Sequence, residues 1–305
     1  MYKIPISLTS FSDSKHALAI FFDLNKAFDT AWRHSILSTF SGWGINGKML
    51  AFIKNFLSNR CFQVSANGCT STVKSLENGT PQGSVLSTTL FNIAINDVTR
   101  DIRAPIKTTL YADDLTLFIK GNDIISSKNL MQRAIDSLEL WSRTTGFCFS
   151  PEKTKCVIFS KRKKIQPPEI TLYHKILSFC DEIKYLGIIF DSKLNWQNHI
   201  TYLRKECCNR IRLLKMLVHQ HWGADTTILL RLYKILIRSK LDYGATAYAS
   251  AKPHILNKLN PIQNTSIRTA LGAYCTTPVE SLYALSDIPS LEARRSELIL
   301  PEKSN

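Results

Sequence analysis

Residues 109–119 read Thr-Leu-Tyr-Ala-Asp-Asp-Leu-Thr-Leu-Phe-Ile, and no other stretch constrains the fold as much, because two adjacent carboxylates interrupt an apolar run of β-formers. Thr109 to Tyr111 and Leu115 to Ile119 favour strands, and Ala112-Asp113 can make a tight connection, so the stretch predicts a β-hairpin with acids at its tip. Two anions this close repel, and one must protonate unless a cation neutralises them. A divalent metal is the simplest such cation, since Mg²⁺ takes carboxylate oxygens and keeps waters or substrate phosphates as its other ligands. For the dipeptide taken alone, an ordinary polar turn is the competing reading.

The chain of 305 residues, 44% hydrophobic and 21% charged, can bury a substantial core as one large domain or two smaller ones. Such a composition argues against extensive disorder. No apolar run approaches the ~20 residues that span a bilayer, and Met1-Tyr2-Lys3-Ile4-Pro5 does not open a signal peptide. The expectation is an intracellular protein, nuclear or cytoplasmic, not secreted and without a membrane partner. A formal net charge of +15 attracts polyanions and predicts salt-sensitive affinity for nucleic acid. The charge is uneven: residues 1–120 carry 12 basic and 8 acidic side chains, a net of +4, and residues 121–305 carry 27 and 16, a net of +11. The eight cysteines form no Cys-x-x-Cys pair and read as reduced thiols. Cys207-Cys208 with His219 and His221 match no common zinc spacing.

Ala17 to Phe22 is a continuous apolar run ending on Asp23, the pattern of a buried strand that delivers a carboxylate at its C-terminal edge. Helical spacing follows over Ala27 to Phe40 and again over Lys48 to Leu57. Cys61–Ala66 and Thr70–Leu76 predict two strands joined through Asn67-Gly68. Asn78 to Ser84 is a Gly/Pro loop feeding an amphipathic helix that begins at Val85. Free N–H groups at such a helix start suit a phosphate or sugar, and a plain loop capping a core helix is the alternative. Lys128–Thr144 predicts a helix, Val157–Phe159 a strand, and Lys161-Arg162-Lys163-Lys164 either a phosphate contact, a nuclear-import patch or a solvated loop. Ile170–Leu177 and Ile183–Phe190 read as strands, and from Trp196 the pattern is helical, with Arg204, Lys205, Arg210, Arg212 and Lys215 on the first helix. That face is either solvated or duplex-contacting. The only candidate domain boundary lies near residue 195, giving units 1–194 and 195–305.

Acids at strand ends, separated by helices that can cover one face of an antiparallel sheet, follow the logic of two-metal phosphoryl transfer. Ala19-Ile-Phe-Phe-Asp-Leu-Asn-Lys-Ala-Phe-Asp-Thr-Ala-Trp32, Asn78-Gly-Thr-Pro-Gln-Gly-Ser-Val-Leu86, Leu110-Tyr-Ala-Asp-Asp114, Pro151-Glu-Lys-Thr154 and Lys184-Tyr-Leu-Gly187 resemble, in order, the motifs of reverse transcriptases of LINE-type (non-long-terminal-repeat, jockey-like) retrotransposons. Leu232-Tyr233-Lys234 and Leu241-Asp242-Tyr243-Gly244 resemble that group's thumb. The resemblance implies an α+β polymerase palm, an antiparallel sheet with helices on one face, followed by an α-helical thumb and a C-terminal helical extension.

It also implies an RNA-directed DNA polymerase that transfers a nucleotide from a deoxynucleoside triphosphate to the 3′-hydroxyl of a DNA primer on an RNA template. Asp23, Asp113 and Asp114 match the catalytic aspartates that hold two Mg²⁺ ions, Mn²⁺ being an alternative, with the carbonyl of Leu24 assisting. Phe28 matches the aromatic under the incoming sugar, whose ring would collide with a 2′-hydroxyl; core packing is the other reading of it. Gln82 and Gly83 match the loop that meets the incoming nucleotide and template. Lys153 matches a lysine near the leaving pyrophosphate, and Tyr185, Leu186 and Gly187 resemble the primer grip. Asp29 is expected to tether the following helix. Ser87-Thr88 stands where the family has Gly-Pro and Ser150 where it has Asn, departures that affect local loop geometry. About sixteen residues precede the first strand, so the fingers region is expected to be largely missing. The alternative function is a truncated, non-catalytic retroelement remnant that binds nucleic acid without polymerising.

Overall fold

The computed structural model describes residues 16–161, 165–218 and 223–299, which fall into two compact units divided between Asp181 and Glu182. Arg162, Lys163 and Lys164 of the basic cluster, and His219 and His221, lie outside the described residues. The eight cysteines are free thiols, and no described helix is long and apolar enough to cross a membrane.

The first unit is mixed α+β. Its elements are β1 (His16–Phe22), α1 (Ala27–Thr30), α2 (Arg33–Gly42), α3 (Gly47–Leu57), β2 (Arg60–Phe62), β3 (Ser65–Ala66), β4 (Cys69–Thr70), β5 (Lys74–Leu76), α4 (Val85–Ile95), β6 (Lys107–Tyr111), β7 (Asp114–Gly121), α5 (Ile124–Thr145), β8 (Lys155–Ser160), β9 (Thr171–Leu172), β10 (Lys175–Ile176) and β11 (Ser178–Phe179). Five strands form the main sheet in the order β11-β8-β1-β7-β6. All neighbours pair antiparallel except β11 with β8. The continuous apolar run becomes the central strand, and all seven residues of β1 are buried. Leu18, Ile20 and Phe22, on one face by the two-residue period, share a core with Leu115, Leu117 and Ile119 of β7 and with Ile36, Ile53, Leu90, Phe91, Met131 and Leu138 of the helices. This core holds the strand that carries Asp23 rigid.

Local chemistry sets the element ends. α5 starts four residues before the expected Lys128 because Asp123 caps it, its carboxylate accepting from Ile125 N at 3.2 Å and Ser126 N at 2.8 Å. It stops at Gly146, which adopts φ 80°. Asn67-Gly68 makes the expected turn with both residues at positive φ. Two expectations fail alike: Ile170–Leu177 and Ile183–Phe190 are not single strands but tight hairpins. They fold back at Tyr173-His174 (φ 50° and 60°) and at Leu186-Gly187 (φ 45° and 77°).

The second unit contains β12 (Glu182–Tyr185), β13 (Ile188–Asp191), α6 (Gln197–Met216), α7 (Thr226–Tyr233), α8 (Ser239–Asp242), α9 (Ala245–Tyr248), α10 (Pro253–Leu256), α11 (Asn260–Leu271), α12 (Val279–Ser286) and α13 (Leu291–Ile299). The β12–β13 hairpin bonds to the helix after it. Ile189 N donates to His199 Nδ1 at 3.3 Å, and Asn198 Nδ2 donates to Glu182 Oε2 at 2.6 Å. A π-helical turn over Lys234–Arg238 joins α7 to α8 and places Arg238 in the interior. There its Nη1 donates to Gln263 Oε1 at 2.5 Å and its Nε pairs with Asp242 at 3.1 Å.

Candidate active site

The carboxylates are placed by strand register. β6 and β7 form the hairpin, with Tyr111 opposite Asp114 and Ala112-Asp113 as the turn. Ala112 sits at φ 52°, a left-handed conformation that costs a non-glycine residue about 1–2 kcal/mol. The β1–β7 ladder ends with Phe22 opposite Leu115, which brings Asp23 and Asp114, the residues next beyond that pair, to the same end of the sheet. The three acids therefore share one edge of the sheet. Burial raises the Asp114 pKa, and the charges of Asp113 and then Asp23 raise it further. That is the signature of crowded anions awaiting a counter-charge.

Backbone pairing fixes Asp23. Ser150 N donates to Asp23 O and Asn25 N to Cys148 O, both at 2.8 Å, flanking a Leu24–Phe149 bridge. These two bonds leave the Leu24 carbonyl out of the pairing. The same segment delivers Lys153: Thr154 N donates to Ser150 O at 2.9 Å, and Lys153 N to Ser150 Oγ at 3.4 Å. Ser150 thus supports the turn in its own way. Lys153 Nζ ends 3.5 Å from Asp23 Oδ2. That oxygen is buried without a hydrogen-bond partner among the described residues. Buried Thr154 turns its hydroxyl to Asp23 N at 3.5 Å, a neighbour the sequence reading did not single out.

A carboxylate oxygen that accepts no hydrogen bond, beside two more acids, fits a hard divalent cation. Among the described residues no three His, Cys, Asp or Glu side chains make a ready cage. Mg²⁺ needs none, because it binds through one or two carboxylates and completes its octahedron with waters and substrate phosphates.

The Gly/Pro loop is built onto α1. Gly79 N donates to Ala31 O and Thr80 N to Phe28 O, both at 2.9 Å, while Arg33 donates to the carbonyls of Gly79 (3.1 Å) and Asn78 (3.2 Å). Only glycine allows this approach, since a Cβ at Gly79 would stand 2.7 Å from Asp29 O and 2.8 Å from Phe28 O. The half-buried Phe28 ring stacks on Phe91 at 4.4 Å and 24°, so it is packed on one face whatever meets the other. Exposed Gln82 donates through Nε2 to Asp29 Oδ1 at 2.9 Å. Asp29 therefore does not tether the next helix as expected. α2 begins at Arg33, with Trp32 at its N-cap and no side-chain cap, and the Asp29 carboxylate holds the loop instead. Gly83, at φ 87°, has open space where a Cβ would be. Arg33 and the Asp29–Gln82 pair escaped the sequence reading because such contacts join residues far apart in the chain.

In the second unit, Tyr185 is buried at the end of β12 and Leu186-Gly187 form the hairpin turn. Tyr243 OH donates to Leu186 O at 2.7 Å. Leu186, Gly187, Arg210, Ser239, Lys240 and Tyr243 line a concavity of about 420 Å³. Lys184 Nζ lies 4.7 Å and Lys240 Nζ 5.6 Å from the Tyr202 ring. Among the described residues neither lysine, nor Arg210, has an ion-pair partner. His199 beneath them is pushed down to about 4 by burial and then by Lys240, so it stays neutral.

The profile of the family described as "Reverse transcriptase (RNA-dependent DNA polymerase)" matches residues 4–190. The chain is 29% identical over 276 residues to the RNA-directed DNA polymerase from mobile element jockey of Drosophila funebris, covering 88% of this chain and 30% of that protein. It is 26% identical to the jockey polymerase of Drosophila melanogaster, with the same coverage. It is 25% identical to the Pol polyprotein of the type-1 retrotransposable element R1 of Bradysia coprophila, over 94% of this chain and 29% of that one. The chain thus spans about 30% of the length of these relatives. A solved structure of telomerase from Candida Tropicalis in complex with a TWJ fragment of telomeric RNA superposes with a TM-score of 0.46 at 13% identity, over 96% of this chain and 50% of that one. On the family match over most of its length, the chain belongs to the reverse transcriptase family.

Proposed function

We propose that the chain is the polymerase core of a retrotransposon's RNA-directed DNA polymerase, acting inside the cell, with its palm within residues 1–194 and its thumb within 195–305. The observation that carries this reading is the meeting of Asp23, Asp113 and Asp114 at one end of the β1–β7 ladder, close enough that the charges of Asp113 and Asp23 act on Asp114. Two bound Mg²⁺ ions would supply the Lewis acidity that lowers the pKa of a primer 3′-hydroxyl and neutralises the triphosphate. Asp23, Asp113 and Asp114 would hold them, with the Leu24 carbonyl in reach of the same edge.

The protein's own groups do the rest. The attacking oxygen gives its proton to solvent and bonds to the α-phosphorus as the bond to pyrophosphate breaks. Lys153, anchored beside Asp23, places a cation and a transferable proton near the site where that charge develops. The free face of Phe28 closes the space a ribose 2′-hydroxyl would need. Gln82 and Gly83 meet the incoming nucleotide and the template, and the Tyr185-Leu186-Gly187 hairpin receives the primer backbone. The basic excess after residue 120 supplies phosphate contacts, each adding close to one unit to the log–log salt slope.

Primer extension on an RNA template with Mg²⁺ tests the reading, with Asp113→Asn as the control. Template-directed addition of deoxynucleotides that Asp113→Asn abolishes supports it. Tight, salt-sensitive binding of primer–template without any extension supports instead a chain that binds and does not polymerise.

A further inference from the structure

We propose that Asp29 is the positioning residue that fixes the Gln82 amide in one orientation and thereby sets how the incoming nucleotide is read. The proposal rests on the polymerase reading above. Asp29 follows Phe28 directly on α1, and its Oδ1 takes the Gln82 Nε2 hydrogen bond at 2.9 Å. No lysine or arginine pairs with Asp29 among the described residues, so the carboxylate is not engaged in an ion pair.

The chemistry of the partner matters more than the bond's strength. A glutamine amide has two faces, an acceptor oxygen and a donor NH₂, and a neutral partner such as asparagine satisfies either. An ionised carboxylate only accepts. It can bind the NH₂ face of Gln82 and cannot bind Oε1, so the flipped amide is excluded. What Gln82 then offers a ligand is an acceptor oxygen and its second N–H, a pattern suited to a hydroxyl or ring N–H on the nucleotide.

The loop backbone keeps the distance constant. Thr80 N bonds the Phe28 carbonyl, Gly79 N bonds Ala31 O, and Arg33 holds the Asn78 and Gly79 carbonyls. The ring that meets the sugar and the carboxylate that holds the Gln82 amide are therefore carried by consecutive residues, Phe28 and Asp29, of one short helix. Loss of the Asp29 contact leaves the loop attached and frees only the amide.

The test compares Asp29→Asn, Asp29→Ala, Gln82→Ala and the Asp29→Ala/Gln82→Ala double variant. In the ¹⁵N-labelled chain the Gln82 side-chain NH₂ resonances shift in Asp29→Ala if the bridge exists, and this readout needs no activity. In primer extension, both Asp29→Asn and Asp29→Ala raise KM for the deoxynucleoside triphosphate roughly five- to tenfold with a smaller change in kcat, the scale of one exposed charge-assisted hydrogen bond. Thermal midpoints stay close to the parent, and adding Asp29→Ala to Gln82→Ala changes KM no further. An unmoved amide resonance overturns the proposal, as does a KM effect of Asp29→Ala that persists in full without Gln82. Failure of the parent chain to extend primers counts against the polymerase reading, and the amide resonance still decides whether Asp29 holds Gln82.

Discussion

Gly79→Ala is the sharpest probe of how the Asn78–Ser84 loop is built. A methyl group there meets Asp29 O at 2.7 Å and Asp29 Cα and Phe28 O at 2.8 Å, at a backbone φ of +83°. The left-handed conformation alone costs alanine about 1–2 kcal/mol, and forcing a methyl into occupied space about 1–3 kcal/mol more. The sum has a ceiling, because the loop can instead detach and forfeit its anchoring bonds. These are Gly79 N to Ala31 O, Thr80 N to Phe28 O, the two from Arg33 and the one from Gln82. At about 0.5–1.5 kcal/mol each, detachment costs as much as the strain it relieves, so about 2–4 kcal/mol is expected. Gly83→Ala is the control: its φ is +87° but nothing lies within 4 Å of its Cβ, so only the conformational cost of about 1–2 kcal/mol applies. Urea unfolding gives the two values, and hydrogen exchange at the Gly79 and Thr80 amides reports whether the loop has let go. Equal destabilisation by the two variants, or a Gly79→Ala cost under about 0.5 kcal/mol, would refute the close approach on which the Gln82 geometry depends.

Asp114 gives a pH prediction: its folded pKa lies above 3.8, raised by burial and then by Asp113 and Asp23, so the folded state keeps a proton the unfolded chain has released. Stability is then full below pH 3.8 and falls as pH rises through the raised pKa. Calorimetry should show Asp114→Asn raising Tm at pH 7 with no gain below pH 3.8, and added Mg²⁺ stabilising the parent more than the variant; an identical pH profile would contradict this. Phe28→Val loses the stack on Phe91, a cost of about 1–3 kcal/mol in urea unfolding, and ribonucleotide incorporation should rise more than deoxynucleotide incorporation falls; unchanged sugar selectivity would make Phe28 a core residue alone. Gly244→Ala brings a methyl onto Ile188 Cδ1 and to 3.0 Å from its Cγ1 at φ +69°, and should destabilise the second unit by about 2–4 kcal/mol, read from hydrogen exchange in residues 182–191. Filter binding of primer–template across a salt series should give a log–log slope of several units, and a flat dependence would remove the phosphate contacts.

The sequence by itself determined the elements whose signal is local. The apolar run before Asp23, the hairpin carrying Asp113-Asp114, the Asn67-Gly68 turn and the helix behind Asn78–Ser84 all follow from period, β-propensity and turn chemistry. Residues 170–177 were illegible because their turn is held at positive φ by Tyr173-His174, side chains that carry no turn signal, and in 183–190 a lone Gly187 follows Leu186, which also sits at positive φ and carries none. Tertiary contacts sustain those conformations, as Tyr243 does when it donates to Leu186 O. The candidate site divides in the same way. Each aspartate was visible singly, but only the β1–β7 register brings Asp23 and Asp114 to the same end of the sheet, since a one-residue slip would turn one of them to the other face. Lys153 reaches Asp23, and Asp29 reaches Gln82, through bonds between segments distant in the chain, which no window of sequence contains. Local free energy chose the strands and helices, and long-range pairing chose which charges meet.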